Sequence, residues 1–145
     1  MALSLLHRFV RLPAADRALL MRSIALLGIA RLTVGWLPLG FVRRLLGRAA
    51  RSGASRRATR DQVAWAIFQG QRVVPRATCL PQALAAEALL TQGGHPVELR
   101  IGVIKAGSRL VAHAWVESEG RTVVGALHKG LPQFTPLPPL PDARA

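Results

Sequence analysis

The feature that most constrains this chain is a change of hydrophobic period at Gly93-Gly94. Beyond it, Val97, Leu99, Ile101 and Val103 alternate with Glu98, Arg100 and Gly102, the period of two that marks a half-buried strand. Ala106-Gly107-Ser108 turns the chain into a second run, Val111-Ala112-His113-Ala114-Trp115-Val116-Glu117, and Glu119-Gly120 turns it again into residues 121–125. The pattern predicts a three-stranded antiparallel meander. Before Gly93 the apolar residues recur at helical spacing, so helices come first and the sheet second. That order predicts an α+β fold.

The helical half divides at its prolines and glycines. Residues 3–12 read as a short helix, and Pro13-Ala14-Ala15-Asp16 opens a long one that runs to about Trp36. Pro38-Leu39-Gly40 ends it. A third helix, residues 41–50, sets Arg43, Arg44, Arg48 and the following Arg51 around an apolar stripe of Val42, Leu45 and Leu46. Residues 51–60 form a connector rich in Ser, Gly and Arg, and residues 59–74 a fourth helix anchored by Val63, Trp65, Ile67 and Phe68. The last helix starts at Thr78-Cys79-Leu80-Pro81 and ends at Gln92, with Thr78 placed to cap it and Pro81 in the first turn, where a missing N–H is harmless. Leu80, Ala83, Leu84, Ala86, Ala88, Leu89 and Leu90 leave it no polar side. Such a helix is buried.

With 145 residues, half of them hydrophobic, the chain can bury one proper core. We divide it into a helical region (1–75) packed on or adjoining the core, a core (76–130) and a tail (131–145). Five of the ten prolines fall in that tail, which is therefore extended, polyproline-like or disordered; it can pack over the meander through Phe134 and Leu137 or serve as a proline-recognition ligand, and packing is the expectation.

The net charge is +13, and it is uneven: residues 1–76 hold 14 Arg against 2 acids, residues 77–145 hold 6 Arg or Lys against 5 acids. A basic helical half suits an anionic surface, and peripheral membrane contact through these helices is one expectation. Nucleic acid is not expected, because the arginines are spread over several helices and lack interleaved exposed aromatics. Residues 23–42 are apolar but carry Arg31 at their centre, at a cost of about 2.5–3.5 kcal/mol in mid-membrane, and Pro38 near their end, so they are not expected to span. Residues 1–10 lack the order of a secretory signal, and a lone cysteine fits a reducing compartment. The expected location is the cytoplasm. His7, His95, His113 and His128 show no metal-ligand spacing, so no metal and no cofactor are expected.

The chemistry-bearing residues are the single cysteine, Cys79, and His113. A helix start collects unpaired N–H groups and partial positive charge, which favour a thiolate and can hold an oxyanion. A thiol nucleophile also needs an imidazole that meets it in space. On the central strand Val111, His113, Trp115 and Glu117 share one face, which can turn His113 toward the helix that starts at Cys79. Gln82 and Trp115 are further candidates for lining a substrate groove.

The order Cys79-Leu80-Pro81-Gln82-Ala83-Leu84-Ala85, Leu89-Leu90, Gly94, Leu99-Arg100-Ile101-Gly102-Val103, His113-Ala114-Trp115-Val116-Glu117 and Gly120 resembles the transglutaminase-like leader peptidase of lasso-peptide biosynthesis, the stand-alone peptidase half of the split B protein. The resemblance implies a transglutaminase-like (papain-like) core and a cysteine peptidase, with Cys79 as nucleophile and His113 as base and then acid. It also implies a peptide substrate, the leader region of a ribosomally made precursor. The implied partners are a separate leader-recognition protein and an ATP-dependent lasso cyclase.

One position departs from that family. Its triad aspartate follows the histidine on the next strand, and here residues 121–130 contain no acid, with Gly125 standing near the expected place. Glu117 lies ~13 Å from His113 along an extended strand, out of reach. A two-residue turn at Glu119-Gly120 would set His113 opposite Ala126 and diagonal to His128. His128, Glu119 or a backbone carbonyl remain as groups that can orient the imidazole. A non-catalytic scaffold that holds the precursor, or a basic membrane-associated module, are the alternatives this departure keeps open.

Overall fold

The structure, a computed structural model, describes residues 2–52, 57–126 and 134–141. Five helices precede the strands: α1 (Ala2–Val10), α2 (Ala14–Thr33), α3 (Leu39–Arg51), α4 (Arg60–Gly70) and α5 (Cys79–Gln92). The strands are β1 (Glu98–Ala106), β2 (Arg109–Ser118), β3 (Arg121–Val124) and β4 (Thr135–Pro136), in the sheet order β3-β2-β1-β4 with every pair antiparallel. The fold is α+β, as the change of period requires.

α5 is the centre of the molecule. Pro81 and every residue from Ala83 to Leu90 are buried, and α2, α3, α4 and the sheet pack around it. Ala83, Ala85, Ala86 and Ala88 allow neighbours to come close on several sides, while Leu84, Leu89 and Leu90 fill the gaps, each contributing about 1.5–3 kcal/mol of burial. Leu26, Leu27, Val42, Leu46, Val63 and Ile67 from the other helices join these residues, together with Leu99, Ala114, Val116 and Val124 of the sheet, in one buried cluster. α1 lies outside it, with no buried residue.

Polar ties cross this core at defined points. The Ser23 hydroxyl on α2 lies 2.8 Å from the Leu20 carbonyl and 3.0 Å from that of Ala66 on α4. Thr59 and Gln62 form a reciprocal capping box at the start of α4. Arg60 bonds Glu119 at 2.5 Å and Arg121 bonds Asp61 at 2.8 Å, tying that helix start to the β2–β3 hairpin. The Arg60 guanidinium holds the Glu119 carboxyl below its ordinary range. Deepest among these ties is Arg43 of α3, whose Nε reaches Glu87 of α5 at 3.2 and 3.1 Å and whose Nη1 donates to the Pro141 carbonyl. Their side chains are only 7% and 10% exposed.

The tail supplies a fourth strand that the sequence pattern did not announce. Thr135 and Pro136 pair with Val103 and Gly102 on β1, Leu137 N–H donates to the Ile101 carbonyl at 2.8 Å, and Phe134 is buried against the sheet. Proline suits an edge strand, where its missing donor faces away from the ladder. None of the described helices is long and apolar enough to cross a membrane.

Removing one partner of a buried ion pair strands the other charge. Glu87→Gln is therefore expected to lower unfolding stability by about 3–5 kcal/mol, read as a lower urea midpoint at constant slope. The double variant Arg43→Met, Glu87→Leu is expected to recover most of that loss.

Candidate active site

Cys79 is the first residue of α5, half-buried and packed against the edge of the core. Thr78 stands at the N-cap position, but its side chain makes no capping bond, contrary to expectation. The start is set by the backbone instead. Arg76 adopts φ +57, a left-handed conformation uncommon for a non-glycine residue, and its carbonyl accepts from Thr78 N–H at 2.9 Å. Gln82 reaches back from the first turn, its Nε2 donating to the Ala77 carbonyl at 2.5 Å and to Gln71 Oε1 at 2.8 Å. Gln82 thus serves as a strap that holds the approach to Cys79.

These choices leave a specific set of donors. Thr78 N–H is taken by Arg76 and Pro81 has none, so the N–H groups of Cys79 and Leu80 are the ones without an acceptor among the described residues. Two adjacent N–H groups beside a thiol can hold the oxyanion formed when that thiol attacks a carbonyl.

His113 is anchored on β2 by three contacts. Its ring stacks on Trp115 with centroids 6.1 Å apart, meets Phe134 at 5.5 Å, and its Nε2 lies 2.7 Å from the Gly125 carbonyl. A carbonyl only accepts, so Nε2 carries the hydrogen and the lone pair of the neutral ring is on Nδ1. Among the described residues the group bonded to the ring is thus a backbone carbonyl, one of the three that the sequence left open. Glu119 bonds Arg60 at the turn, and Glu117 accepts from Trp115 Nε1 at 2.8 Å and lies 3.7 Å from Arg100. His128 lies outside the described residues.

Register explains how Gly125 arrives there. Ser118 pairs with Arg121 and Glu117 with Thr122, as a two-residue turn demands, and Glu119 and Gly120 both take positive φ. Then a bulge intervenes, and Val116 pairs with Val124. The extra residue moves the chain after β3 by one position, so the expected alignment of His113 with Ala126 is not kept. Gly125 comes to rest against Trp115: a Cβ placed on it would lie 2.7 Å from Trp115 Cβ and 2.9 Å from the Ala114 oxygen, at φ +95. No acid fits where the family carries one.

The orientation expected for His113 also needs correcting. Ala114 and Val116 belong to the core that surrounds α5, so the alternate residues His113, Trp115 and Glu117 point to the opposite face of the sheet. Small and branched apolar side chains suit the alanine-rich helix, whereas the wide Trp115 ring lies across the bare backbone of Gly102, within 2.9 Å of where a Cβ would be, under Phe134. Among the described residues no hydrogen bond joins Cys79 to His113. β3 pairs with β2 at Val116–Ser118 and stops, which leaves the edge of β2 beside His113 without a paired strand among the described residues.

Of the remaining histidines, His95 bonds the Ala58 carbonyl at 2.8 Å and joins the start of β1 to that of α4. No three His, Cys, Asp or Glu side chains among the described residues are grouped to hold a metal ion. Two surface cavities, of about 310 and 580 Å³, lie elsewhere, and neither is lined by Cys79 or His113.

The crowding at Gly125 can be separated from its backbone angle. Gly107 also has positive φ but open space around it, so Gly107→Ala reports the angle alone. Gly125→Ala and Gly125→Asp are expected to lose about 1–3 kcal/mol more than Gly107→Ala in urea unfolding, from overpacking against Trp115.

Comparison with known families gives a match to the Transglutaminase-like superfamily over residues 23–138. Comparison with curated proteins gives no match, and neither does comparison with solved structures. The superfamily includes cysteine peptidases and transferases. The matched region runs from within α2 through α3, α4, the Cys79 helix and the sheet: the chain belongs to the Transglutaminase-like superfamily.

Proposed function

We propose that the protein is a cysteine peptidase that removes the leader from a ribosomally made lasso-peptide precursor. Membership in the superfamily supports the peptidase class. The leader substrate rests on the resemblance of Cys79–Ala85 and His113–Glu117 to the leader peptidases. The single observation that carries the mechanism is the His113 to Gly125 carbonyl bond of 2.7 Å, because it fixes the tautomer a general base needs.

In this reading the His113 ring, which faces away from α5 in this structure, has to swing to the thiol before its Nδ1 takes the Cys79 proton as the sulfur attacks the carbonyl at the leader junction. The oxyanion is held by the N–H groups of Cys79 and Leu80. The imidazolium then gives its proton to the departing amine, leaving a thioester on Cys79. Water, activated by Nδ1, hydrolyses the thioester and restores the thiol.

A carbonyl replaces only part of what an aspartate does. It accepts from Nε2, so the tautomer is right, and in serine peptidases the wrong tautomer alone costs about 10⁴ in rate. It carries no charge, however. The imidazolium therefore keeps one charge-assisted hydrogen bond but lacks the ion pair a carboxylate would give it. The enzyme is expected to be slow by itself. Partners in this proposal are the leader-recognition protein and the ATP-dependent cyclase, which deliver the peptide and close the ring. The same missing charge favours one second reading, a scaffold that holds the precursor without cutting it.

The two readings part at the thiol. With precursor and leader-recognition protein present, Cys79→Ala is expected to lower cleavage at least 10³-fold while complex formation persists, measured by mass spectrometry of the products and by co-elution. Cleavage that survives the substitution sinks the peptidase. Alkylation of the single cysteine at fixed pH, with and without His113→Ala, then reports the pair: the variant is expected to alkylate more slowly.

A further inference from the structure

The 310 Å³ cavity lies in the groove between α3 and α5, lined by Arg43, Arg44, Arg48, Arg51, Glu87 and Thr91, with Gly47 and Ala88 between them. Glu87 is neutralised by Arg43 at its floor. Arg44, Arg48 and Arg51 make no ion pair among the described residues, and their spacing puts them on one face of α3, about one turn apart. The groove therefore carries three unneutralised cations, and its size falls in the range of ligand pockets. We propose that this groove is an exosite that takes an acidic segment of the peptide substrate.

Three features select a carboxylate-bearing peptide among anions. The Arg44, Arg48 and Arg51 steps of about 5–6 Å match the ~6.6 Å between alternate side chains of an extended peptide. The site is concave, so a flat bilayer cannot press onto its floor. No aromatic ring lines it, which removes the stacking platform that single-stranded nucleic acid uses.

The groove is also tied to the proposed chemistry by a ruler. Glu87 and Thr91 lie on the helix that Cys79 begins, and at 1.5 Å per residue they stand about 12 and 18 Å along it. An extended peptide covers that distance in about four to six residues. The exosite thus predicts acidic residues four to six positions from the bond that Cys79 attacks. This placement rests on the peptidase reading; the binding itself does not.

The test uses the full chain and two fluorescent peptides, alternating Glu-Gly and alternating Gln-Gly, six residues each, followed by anisotropy. The acidic peptide is expected to bind at least tenfold more tightly than its Gln counterpart, and the Arg44→Ser, Arg48→Ser, Arg51→Ser variant to lose tenfold to a hundredfold of that binding. All three positions are solvent-facing, and circular dichroism checks that the variant is folded. Equal binding of the two peptides, or full binding by the triple variant, overturns the exosite. So does displacement of the acidic peptide by equimolar inorganic phosphate, or by vesicles containing phosphatidylserine, because either makes the groove a general anion site. In cleavage assays, a precursor with its acids at four to six positions changed to amides is expected to show a raised KM and little change in kcat. Failure there with the binding intact removes the ruler alone, and cleavage that survives Cys79→Ala removes the peptidase while leaving the groove.

Discussion

Burial of α5 on all sides is the constraint on which the rest of this structure depends. A helix with no polar face cannot stand at a surface, so α2, α3 and α4 on one side and the sheet on the other are obliged to enclose it. Apart from the Glu87–Ala88 floor of the groove against α3, it is the ends of α5 that reach solvent-facing structure. Cys79 sits at one of them, half-buried, where the N–H groups of the first turn are left over. The same packing demand that makes the core thus presents a thiol beside two free donors.

The sheet answers the same demand and so decides where His113 goes. Ala114 and Val116 are the residues of β2 that fit against alanine-rich α5, which sends His113, Trp115 and Glu117 to the other face. On that face Phe134 of the tail packs on His113 and Trp115, β4 extends the sheet at its β1 edge, and Gly102 lets Trp115 lie close beneath Phe134, while Arg100 and Glu117 stay partly exposed. The proline-rich end of the chain is therefore part of the apparatus that orients the imidazole.

The fold class, the helix beginning at Cys79 and the β-meander were legible because each has a periodic signature or a turn residue that announces it. Glu119-Gly120 as a two-residue turn was equally plain. The bulge opposite Val116 was not, since nothing in Thr122-Val123-Val124 marks which residue is left unpaired. That single slip sets Gly125 opposite Trp115, on the face that carries His113, where its carbonyl meets the ring. The face of β2 was misjudged for a related reason: Val111, Trp115 and Val116 are all apolar, and alternation alone does not say which set meets a helix made of alanines. β4 is two residues long and contains a proline, too short for any period to show.

Gly125 shows why the acid expected near this position is absent while His113 still has an acceptor. The bulge delivers a carbonyl to Nε2, and delivering it brings the backbone so close to Trp115 that no Cβ is tolerated. The acceptor and the glycine are then one solution: a carboxylate at this position would need a side chain, and the side chain would push away the strand that positions the ring. What the arrangement gives up is negative charge beside the imidazolium. In the peptidase reading proposed above, a base short of charge gains most from contacts remote from the bond, which hold the carbonyl against the thiol through a slow proton transfer. The arginines of α3 that face the far half of α5 are the groups proposed to give that hold.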